Sequence, residues 1–229
     1  MTYRRALIVG AGSGLSAALA RRFAREGLAV ALAARRTDTL AALCAETGAT
    51  AHACDAAEPD AVAALFAALD AGGAPDLVVY NASFRVRGPV AELDPEGVRR
   101  SLEVSAFGAF LVAQQAARRM LPQRQGAIAF TGATAGVKGF ALSSAFAMGK
   151  FALRGLAQSL TRELSPQGIR VLHVVIDGGI RAAHRPDPAA APDSTLAPDA
   201  IAATYWHALT QHRSAWSWEI ELRPWVERF

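Results

Sequence analysis

The feature that most constrains the fold is a short apolar run followed at once by a glycine-rich turn and a helix. The run spans Ala6 to Gly10, the turn holds Gly10, Gly12 and Gly14, and a helical pattern continues to Glu26. A buried strand that enters a helix through so short a turn is typical of parallel sheets, whose strands are joined by helices. The start of the chain therefore predicts an α/β fold.

The remainder of the chain alternates strand-like and helical segments in the same way. Further strands are predicted at 28–36, 49–54, 76–83, 127–132, 169–176 and 214–222. Helices are predicted at 38–47 with Asp38 as cap, from Pro59, at 94–120, at 144–164 and from Pro198. We expect one domain over residues 1–229, built on a doubly wound parallel sheet of about seven strands with helices on both faces. Residues 181–198 are expected to form a mobile substrate-side loop, and 214–229 the last strand and a C-terminal tail.

Composition and charge limit the kind of protein. Hydrophobic residues make up 52% of the chain and charged residues 19%, which predicts a globular protein. The net charge of +4 comes without a basic run, so we expect no nucleic-acid partner. An anionic small ligand would explain a local group of arginines equally well.

The compartment is predicted from targeting patterns and cysteines. No apolar stretch is long enough to span a bilayer, and no signal-peptide pattern precedes the first strand, so no membrane partner is expected. Cys44 and Cys54 show neither metal nor redox spacing. We therefore expect reduced, buried thiols, no metal site and a cytoplasmic protein.

The glycine turn is the first candidate binding site. In doubly wound sheets the ligand lies beyond the carboxyl ends of the strands. Backbone amides of the turn, with the positive end of the helix dipole behind them, can hold the diphosphate of a dinucleotide. A tight turn without a ligand is the alternative.

The end of the second strand selects the nucleotide. An acid there would bind the ribose 2′-hydroxyl of NAD, whereas arginine accommodates the 2′-phosphate of NADP. The strand ends in Ala34, Arg35 and Arg36, without an acid, and this favours NADP(H) over NAD(H). Solvated surface arginines are the alternative.

The predicted helix at 144–164 raises a question about one lysine. Its apolar stripe consists of Phe146, Leu153, Ala157, Leu160 and Leu164, and Lys150 lies at the margin of that stripe. An ammonium group beside a buried face is costly unless it is solvated or bound. The side chain either extends along its own stem to water or lines a pocket and binds a polar ligand there.

Together these elements resemble the short-chain dehydrogenase/reductase family over essentially the whole chain. The family's first turn reads TGxxxGxG, and here VGAGSGLS keeps Gly10 and Gly14 but has Val9 and Ser16 at the outer positions. YNAS, at 80–83, is similar to the family's NNAG. The resemblance implies a Rossmann-like fold that binds NAD(P).

Cofactor residues follow from this resemblance. Asp55 matches the acid that binds the adenine amino group, and Arg35 matches the arginine of the NADP-using branch. The implied cofactor-binding set is Gly10, Gly12, Ser13, Gly14, Leu15, Arg35, Arg36, Asp55, Ala56, Asn81, Ala82, Ser83, Lys150, Asp177, Gly178 and Ile180.

The catalytic set departs from the family. The family relies on Asn, Ser, Tyr and Lys, with Tyr and Lys spaced as YxxxK. Lys150 matches the lysine that orients the nicotinamide ribose, but Phe146 occupies the Tyr position, Ala133 the Ser position and Ser105 the Asn position. Phenylalanine has no ionisable group, so Phe146 cannot transfer the proton that a carbonyl reduction needs.

Three other residues are considered as proton donors. Tyr205, on the last helix, is placed to approach the substrate side. His184, in the loop, either acts as an acid on the substrate side or is a solvated loop histidine. Asp177 stands at a strand end, where it either acts as an acid or caps the turn at Gly178.

Two functions follow. The first is an NADP(H)-dependent oxidoreductase that reduces an activated C=C bond or a carbonyl of a small-molecule substrate with another proton donor. The alternative is a catalytically inactive NADP(H)-binding regulator or oligomer subunit. By resemblance, we expect a homodimer or homotetramer packed through the long helices.

Overall fold

The computed structural model describes residues 2–227 and places its strands in one parallel sheet. The strands are β1 Arg5–Val9, β2 Ala29–Ala34, β3 Thr50–Ala53, β4 Leu77–Tyr80, β5 Gly126–Thr131, β6 Ile169–Ile176 and β7 Glu219–Leu222. Their order is β3-β2-β1-β4-β5-β6-β7 and all neighbours run parallel, which confirms the predicted sheet. The predicted tail extends to residues 228 and 229, which lie outside the described part of the chain.

The helices connect these strands. They are α1 Leu15–Arg25, α2 Ala41–Thr47, α3 Pro59–Asp70, α4 Pro95–Leu102, α5 Gly108–Met120, α6 Ser144–Leu164 and α7 Pro198–Leu209. The chain adds strands outward from β1 to β3 and then restarts beside β1 with β4, so the topological switch point lies between β1 and β4. Of the helices described, none combines the length and apolarity needed to cross a membrane.

The core consists of two apolar layers, one on each face of the sheet. Alternate strand residues point to opposite faces, so Ile8 packs with one layer and its neighbour Leu7 with the other. The first layer contains α1 and α7, with Phe23 and Tyr205 fully buried. The second contains α3, α5 and α6, with Phe66 among its buried residues. Burial on both faces explains why the central strands are continuously apolar.

The predicted single helix at 94–120 is interrupted by a π-helical turn, Glu103–Phe107, between α4 and α5. Ser105 lies in this turn and is fully buried against α6, where a Cβ built on Gly149 would meet the Ser105 Cβ at 2.8 Å. A π-helical turn widens one helical turn by a single residue. The long helix is therefore present from Pro95 to Met120, and the apolar periodicity on either side does not reveal the inserted residue within it.

The predicted start of the last strand was wrong. Residues Arg213–Ala215 form a 3-10 turn, and β7 begins at Glu219. The segment between them wraps around the buried Arg170, whose Nη2 donates to Gln211 Oε1 at 2.6 Å and to the Ser217 carbonyl at 3.3 Å. Trp216 packs on the same guanidinium group, with its ring centroid 5.2 Å from the Arg170 guanidinium carbon, and pairing with β6 begins only at the Trp218 carbonyl, which accepts from the His173 amide.

Candidate active site

Two cavities meet at the carboxyl ends of β1 and β4 and form one cleft. The first cavity, of about 720 Å³, extends over the ends of β2 and β3. The second, of about 800 Å³, extends over the end of β5, α6 and the loop that follows β6. Gly10, Asn81 and Ser83 line both cavities. The cleft therefore lies at the switch point of the sheet, where this class of fold binds ligands.

The glycine turn between β1 and α1 is held close to the end of β4. Gly10 has φ +83°, and a Cβ there would lie 2.3 Å from the Ala82 backbone nitrogen, so only glycine fits. Ser16 Oγ donates to the Gly10 carbonyl at 3.0 Å and accepts from Asn81 Nδ2 at 2.8 Å. These contacts fix the turn against β4.

The amino end of α1 is open to a ligand. The helix has no side-chain cap and no acidic residue in its first turn, so its first amides remain available to an anion. Gly12, Gly14 and Leu15 line the second cavity beside these amides. Ser13 is exposed and lines neither cavity.

Asp55 is held in the first cavity by partners from two directions. Its Oδ1 accepts from the Ala57 amide at 3.0 Å, and its other oxygen forms an ion pair with Arg100 of α4. Burial raises the pKa of the Asp55 carboxyl, but the Ala57 amide, Arg100 and the nearby Arg35 together lower it below its usual value. The carboxylate is thus ionised and oriented. Ala56 and Ala82 complete this wall of the cavity.

The two arginines at the end of β2 differ in whether they form an ion pair. Arg36 forms a double hydrogen bond with Asp38, at 3.2 and 2.6 Å. The prediction that Asp38 caps a helix was therefore wrong, because its carboxylate binds Arg36 instead. Arg35 also lines the first cavity but forms no ion pair within residues 2–227. Arg35 is the arginine free to bind a phosphate.

Lys150 lines the second cavity from α6 and is only 3% exposed. Its Nζ donates to the Thr131 carbonyl at the end of β5, at 2.7 Å. Burial lowers the pKa of Lys150 from 10.5 to about 8. The alternative in which Lys150 reaches bulk water along its stem was wrong, since the ammonium group is held inside the cavity wall.

Phe146 and Ala133 line the same cavity, one turn before Lys150 and just after β5. The Phe146 ring lies between two cations, with its centroid 5.8 Å from Lys150 Nζ and 5.2 Å from the Arg85 guanidinium carbon. The two threonines that flank Ala133 have other partners. The Thr131 hydroxyl lies 2.9 Å from Tyr205 Oη, and the Thr134 hydroxyl donates to the Ile176 carbonyl at 3.4 Å. Neither Phe146 nor Ala133 carries a hydroxyl, and Ser143, three residues before Phe146, lines the same cavity.

The remaining candidates lie in different places. Ser105 is buried behind α6 and accepts a long hydrogen bond from the Phe84 amide at 3.5 Å. Tyr205 is fully buried in the core, where burial raises the pKa of its phenol, and it does not reach the cavities. Asp177 is 5% exposed and ion-paired with Arg223 at 3.4 Å, outside both linings. His184 lines the second cavity, as do Gly178 and Ile180.

Sequence reasoning missed a group of arginines in the second cavity, namely Arg85, Arg87, Arg181 and Arg185. A signal for two of them was present, because Arg85 and Arg87 follow directly after Ser83 at the carboxyl end of β4, where ligands bind in such sheets. Arg100, the partner of Asp55, was also missed. It comes from a helix 45 residues further along the chain.

Comparison with known proteins agrees with this architecture. Residues 4–187 match the family model for short chain dehydrogenases. The chain is 35% identical over 184 residues to the cyclic-di-GMP-binding biofilm dispersal mediator protein of Escherichia coli (strain K12), covering 78% of this chain and 74% of that protein. Across eight curated relatives, the aligned segment spans 60% to 74% of their own length.

Solved structures match over almost the full length. A short-chain dehydrogenase from Rhodopseudomonas palustris superposes with a TM-score of 0.85 at 35% identity, covering 97% of this chain and 99% of that one. A metagenomic short-chain oxidoreductase in complex with NADP gives a TM-score of 0.84 at 26% identity, with 97% and 98% covered. The matched residues, the strand order and the cleft at the switch point together show that this chain belongs to the short-chain dehydrogenase/reductase family of NAD(P)-binding oxidoreductases.

Proposed function

We propose that this protein is an NADP(H)-dependent oxidoreductase that reduces an activated C=C bond or a carbonyl without the family's tyrosine. The observation that carries the proposal is the buried ammonium group of Lys150 in the wall of the second cavity. Burying a cation is unfavourable unless it is paired or hydrogen-bonded. Lys150 Nζ has three N–H groups, and its hydrogen bond to the Thr131 carbonyl uses one of them, which leaves two to bind a ligand.

The cleft fits a dinucleotide along its length. The Gly10 turn and the free amides of α1 suit a diphosphate, and Asp55 is oriented to accept from an adenine amino group. Within the described residues, Arg35 stands unpaired at the end of β2, where a 2′-phosphate would lie, and no unpaired acid lines this cavity to compete for a 2′-hydroxyl. The complex of the metagenomic relative with NADP supports the same preference.

NADPH, when bound, supplies a hydride. This chain must then deliver a proton, and Phe146 and Ala133 have none to give. Lys150 is protonated at neutral pH and, with a pKa of about 8, loses its proton readily. We infer that Lys150 orients the nicotinamide ribose and that the proton comes from its ammonium group or from water. Reduction of a C=C bond conjugated to a carbonyl suits such a site, because its proton goes to carbon.

The test separates binding from turnover. NADPH binding is measured by the change in cofactor fluorescence, and NADPH oxidation is then followed with a panel of enones, enoyl thioesters and ketones. We expect tight binding and oxidation with at least one conjugated substrate. Tight binding with no oxidation across the panel would contradict the enzyme proposal.

The second candidate is an NADP(H)-binding protein without turnover. The absence of a hydroxyl at both Phe146 and Ala133 favours it, as does the name of the Escherichia coli relative, which describes binding of cyclic di-GMP and not catalysis. The same panel tests it, with cyclic di-GMP titrated against the NADPH complex. A protein that binds both ligands and oxidises no substrate would fit this candidate.

A homodimer or homotetramer is also proposed, packed through α5 and α6. Four large apolar side chains on or next to these helices are exposed to solvent, namely Phe107, Phe110, Met148 and Phe151. The first two stack with ring centroids 6.3 Å apart. An apolar surface of this kind supports burial against a second copy.

A further inference from the structure

The second cavity is lined by charges of one sign. Its titratable lining consists of Arg85, Arg87, Lys150, Arg181, His184 and Arg185. Among the residues that the structure describes, no aspartate or glutamate lines it. Lys150 is buried, whereas Arg85, Arg87 and Arg185 are exposed to solvent. Cations gathered around a concave space repel one another and produce a local positive potential that attracts anions.

Three of these arginines lack an acidic partner. Elsewhere in the molecule arginines pair with carboxylates, as Arg119 does with Asp70 at 2.7 Å. Within the cavity, Arg181 is neutralised by Asp187 and Asp193. Over residues 2–227, Arg85, Arg87 and Arg185 form no ion pair, so their charge is available to a ligand.

Arg85 and Arg185 are positioned by specific contacts. The Arg85 guanidinium lies over the Phe146 ring, 5.2 Å from its centroid. Arg185 is held in a tight turn by two backbone hydrogen bonds with Ala182, at 2.8 and 3.1 Å. Its stem packs against Gly179, where a Cβ would lie 3.1 Å from Arg185 Cδ.

We propose that the second cavity binds an anionic group of the substrate, a carboxylate or a phosphate, through Arg85, Arg87 and Arg185. The fork of guanidinium donors suits both anions, and charge-assisted hydrogen bonds of this type are strong. Phe146, at the position where the family has its acid, then acts as a platform that orients Arg85. This inference rests on the proposed function insofar as it takes the second cavity as the substrate side.

The anion is assigned to the substrate because the cofactor's own phosphates have other sites. The amides at the start of α1, at the end of the second cavity lined by Gly12 and Gly14, serve a diphosphate, and Arg35 in the first cavity serves a 2′-phosphate. With NADP⁺ bound, both of these sites are filled, and an anion that still binds requires another site. Arg85, Arg87 and Arg185 do not line the first cavity. They line the second together with Phe146 and Ala133, where a reacting group would lie.

The experiment measures anion binding directly. The full chain, saturated with NADP⁺ so that the cofactor's phosphate sites are filled, is titrated by ligand-observed NMR with two matched pairs of probes. Glutarate is compared with glutaramide, and glycerol 3-phosphate with glycerol. We expect each anion to bind more tightly than its neutral partner, and the tighter of the two anions identifies the acid group.

Variants localise the effect. Arg85→Gln and Arg185→Gln are each expected to weaken anion binding about tenfold, and the double variant more, because each removes a charge-assisted hydrogen bond. Arg118→Gln is the matched control, since Arg118 is an exposed arginine of α5 outside both cavities. NADP⁺ affinity should not change in any of these four variants, which also shows that the variants are folded.

Two results would overturn the inference: equal affinity for charged and neutral probes, or anion affinity that no cavity arginine alters. A failure of NADP⁺ to bind would overturn the proposed function instead. In that case the same titrations are run without cofactor, and loss of anion binding in the Arg85 and Arg185 variants would still support the anion site.

Discussion

The first and second cavities of the cleft use their polar groups in opposite ways. In the first, Asp55 is paired with Arg100 and Arg36 with Asp38, and within residues 2–227 Arg35 is the lining arginine without an ion pair. In the second, the positions of the family's acid and serine are apolar, and three arginines are unpaired. Under the proposed function, the first cavity would hold the nucleotide with residues that match the family's, and the second would work with unpaired arginines and without the family's tyrosine.

If the proposed function holds, this difference means that nucleotide binding and proton transfer are separable in this fold. The nucleotide is recognised by backbone amides and strand-end side chains, which the Phe146 and Ala133 substitutions do not touch. Proton transfer depends on a few hydroxyl groups at the other end of the cleft. A chain can therefore keep the fold and the nucleotide site while its reaction changes.

Restoring the missing hydroxyls should have the largest effect. Phe146→Tyr combined with Ala133→Ser places a phenol and a serine beside Lys150, and we expect ketone reduction to rise by about 10²–10⁴-fold, the usual contribution of general acid catalysis. The measurement is the rate of NADPH oxidation with simple ketones.

The matched control is Phe140→Tyr combined with Ala133→Ser, because Phe140 lines the same cavity at another place. The control should not gain activity. No gain in the Phe146 variant, if it still folds and binds NADPH, would mean that Phe146 is not at the proton donor position.

The next largest effect is expected in the pH dependence of the free energy of unfolding, when the wild type is compared with a Lys150 variant. Its pKa falls from 10.5 to about 8 on folding, so between these pH values the unfolded chain binds more protons than the folded one. Wild-type stability should therefore rise with pH relative to Lys150→Met, by up to about 3 kcal/mol between pH 8 and 10.5. The free energy of unfolding of both proteins in urea measures this difference.

Below pH 8 the full cost of burying the ammonium group is present, and the difference between the two proteins should be constant. Lys138→Met is the control, because Lys138 is exposed and should give a flat difference across the range. A flat difference for Lys150 as well would show that its ammonium group is not desolvated, and the contrast between the two cavities would weaken.

The smallest effect is expected in the preference for NADPH over NADH. Arg35→Ala should weaken NADPH binding about tenfold and leave NADH binding nearly unchanged, because only NADPH carries a 2′-phosphate. Arg36→Ala is the control, since Arg36 is already paired with Asp38 and should matter less. Equal losses for NADPH and NADH in the Arg35 variant would contradict the assignment.

Local patterns predicted most of the fold. Buried parallel strands leave continuous apolar runs, and the glycine turn and the lysine of α6 are recognisable within single segments. Periodicity did not predict the π-helical turn at Ser105, because one inserted residue leaves the flanking apolar pattern unchanged. It also misread 214–218 as strand, because the residue that shapes this segment, Arg170, lies in β6.

The candidate site was predicted where one residue matches one position, and missed where distant residues meet. Arg85 and Arg185 are 100 positions apart in the sequence and come together only because β4 and β6 end on the same side of the sheet. Likewise, the sequence gives no sign that Asp177 turns to Arg223, a partner from the segment that follows β7.

Thr131 links the two apolar layers of the core through hydrogen bonds to both. Its carbonyl accepts from Lys150 on one face of the sheet, while its hydroxyl bonds Tyr205 of α7 on the other face. The loop after β6 leads directly into α7, so one residue joins the lysine, the loop and the outer helix. A displacement of α7 that moved the end of β5 would therefore also move the carbonyl that holds Lys150.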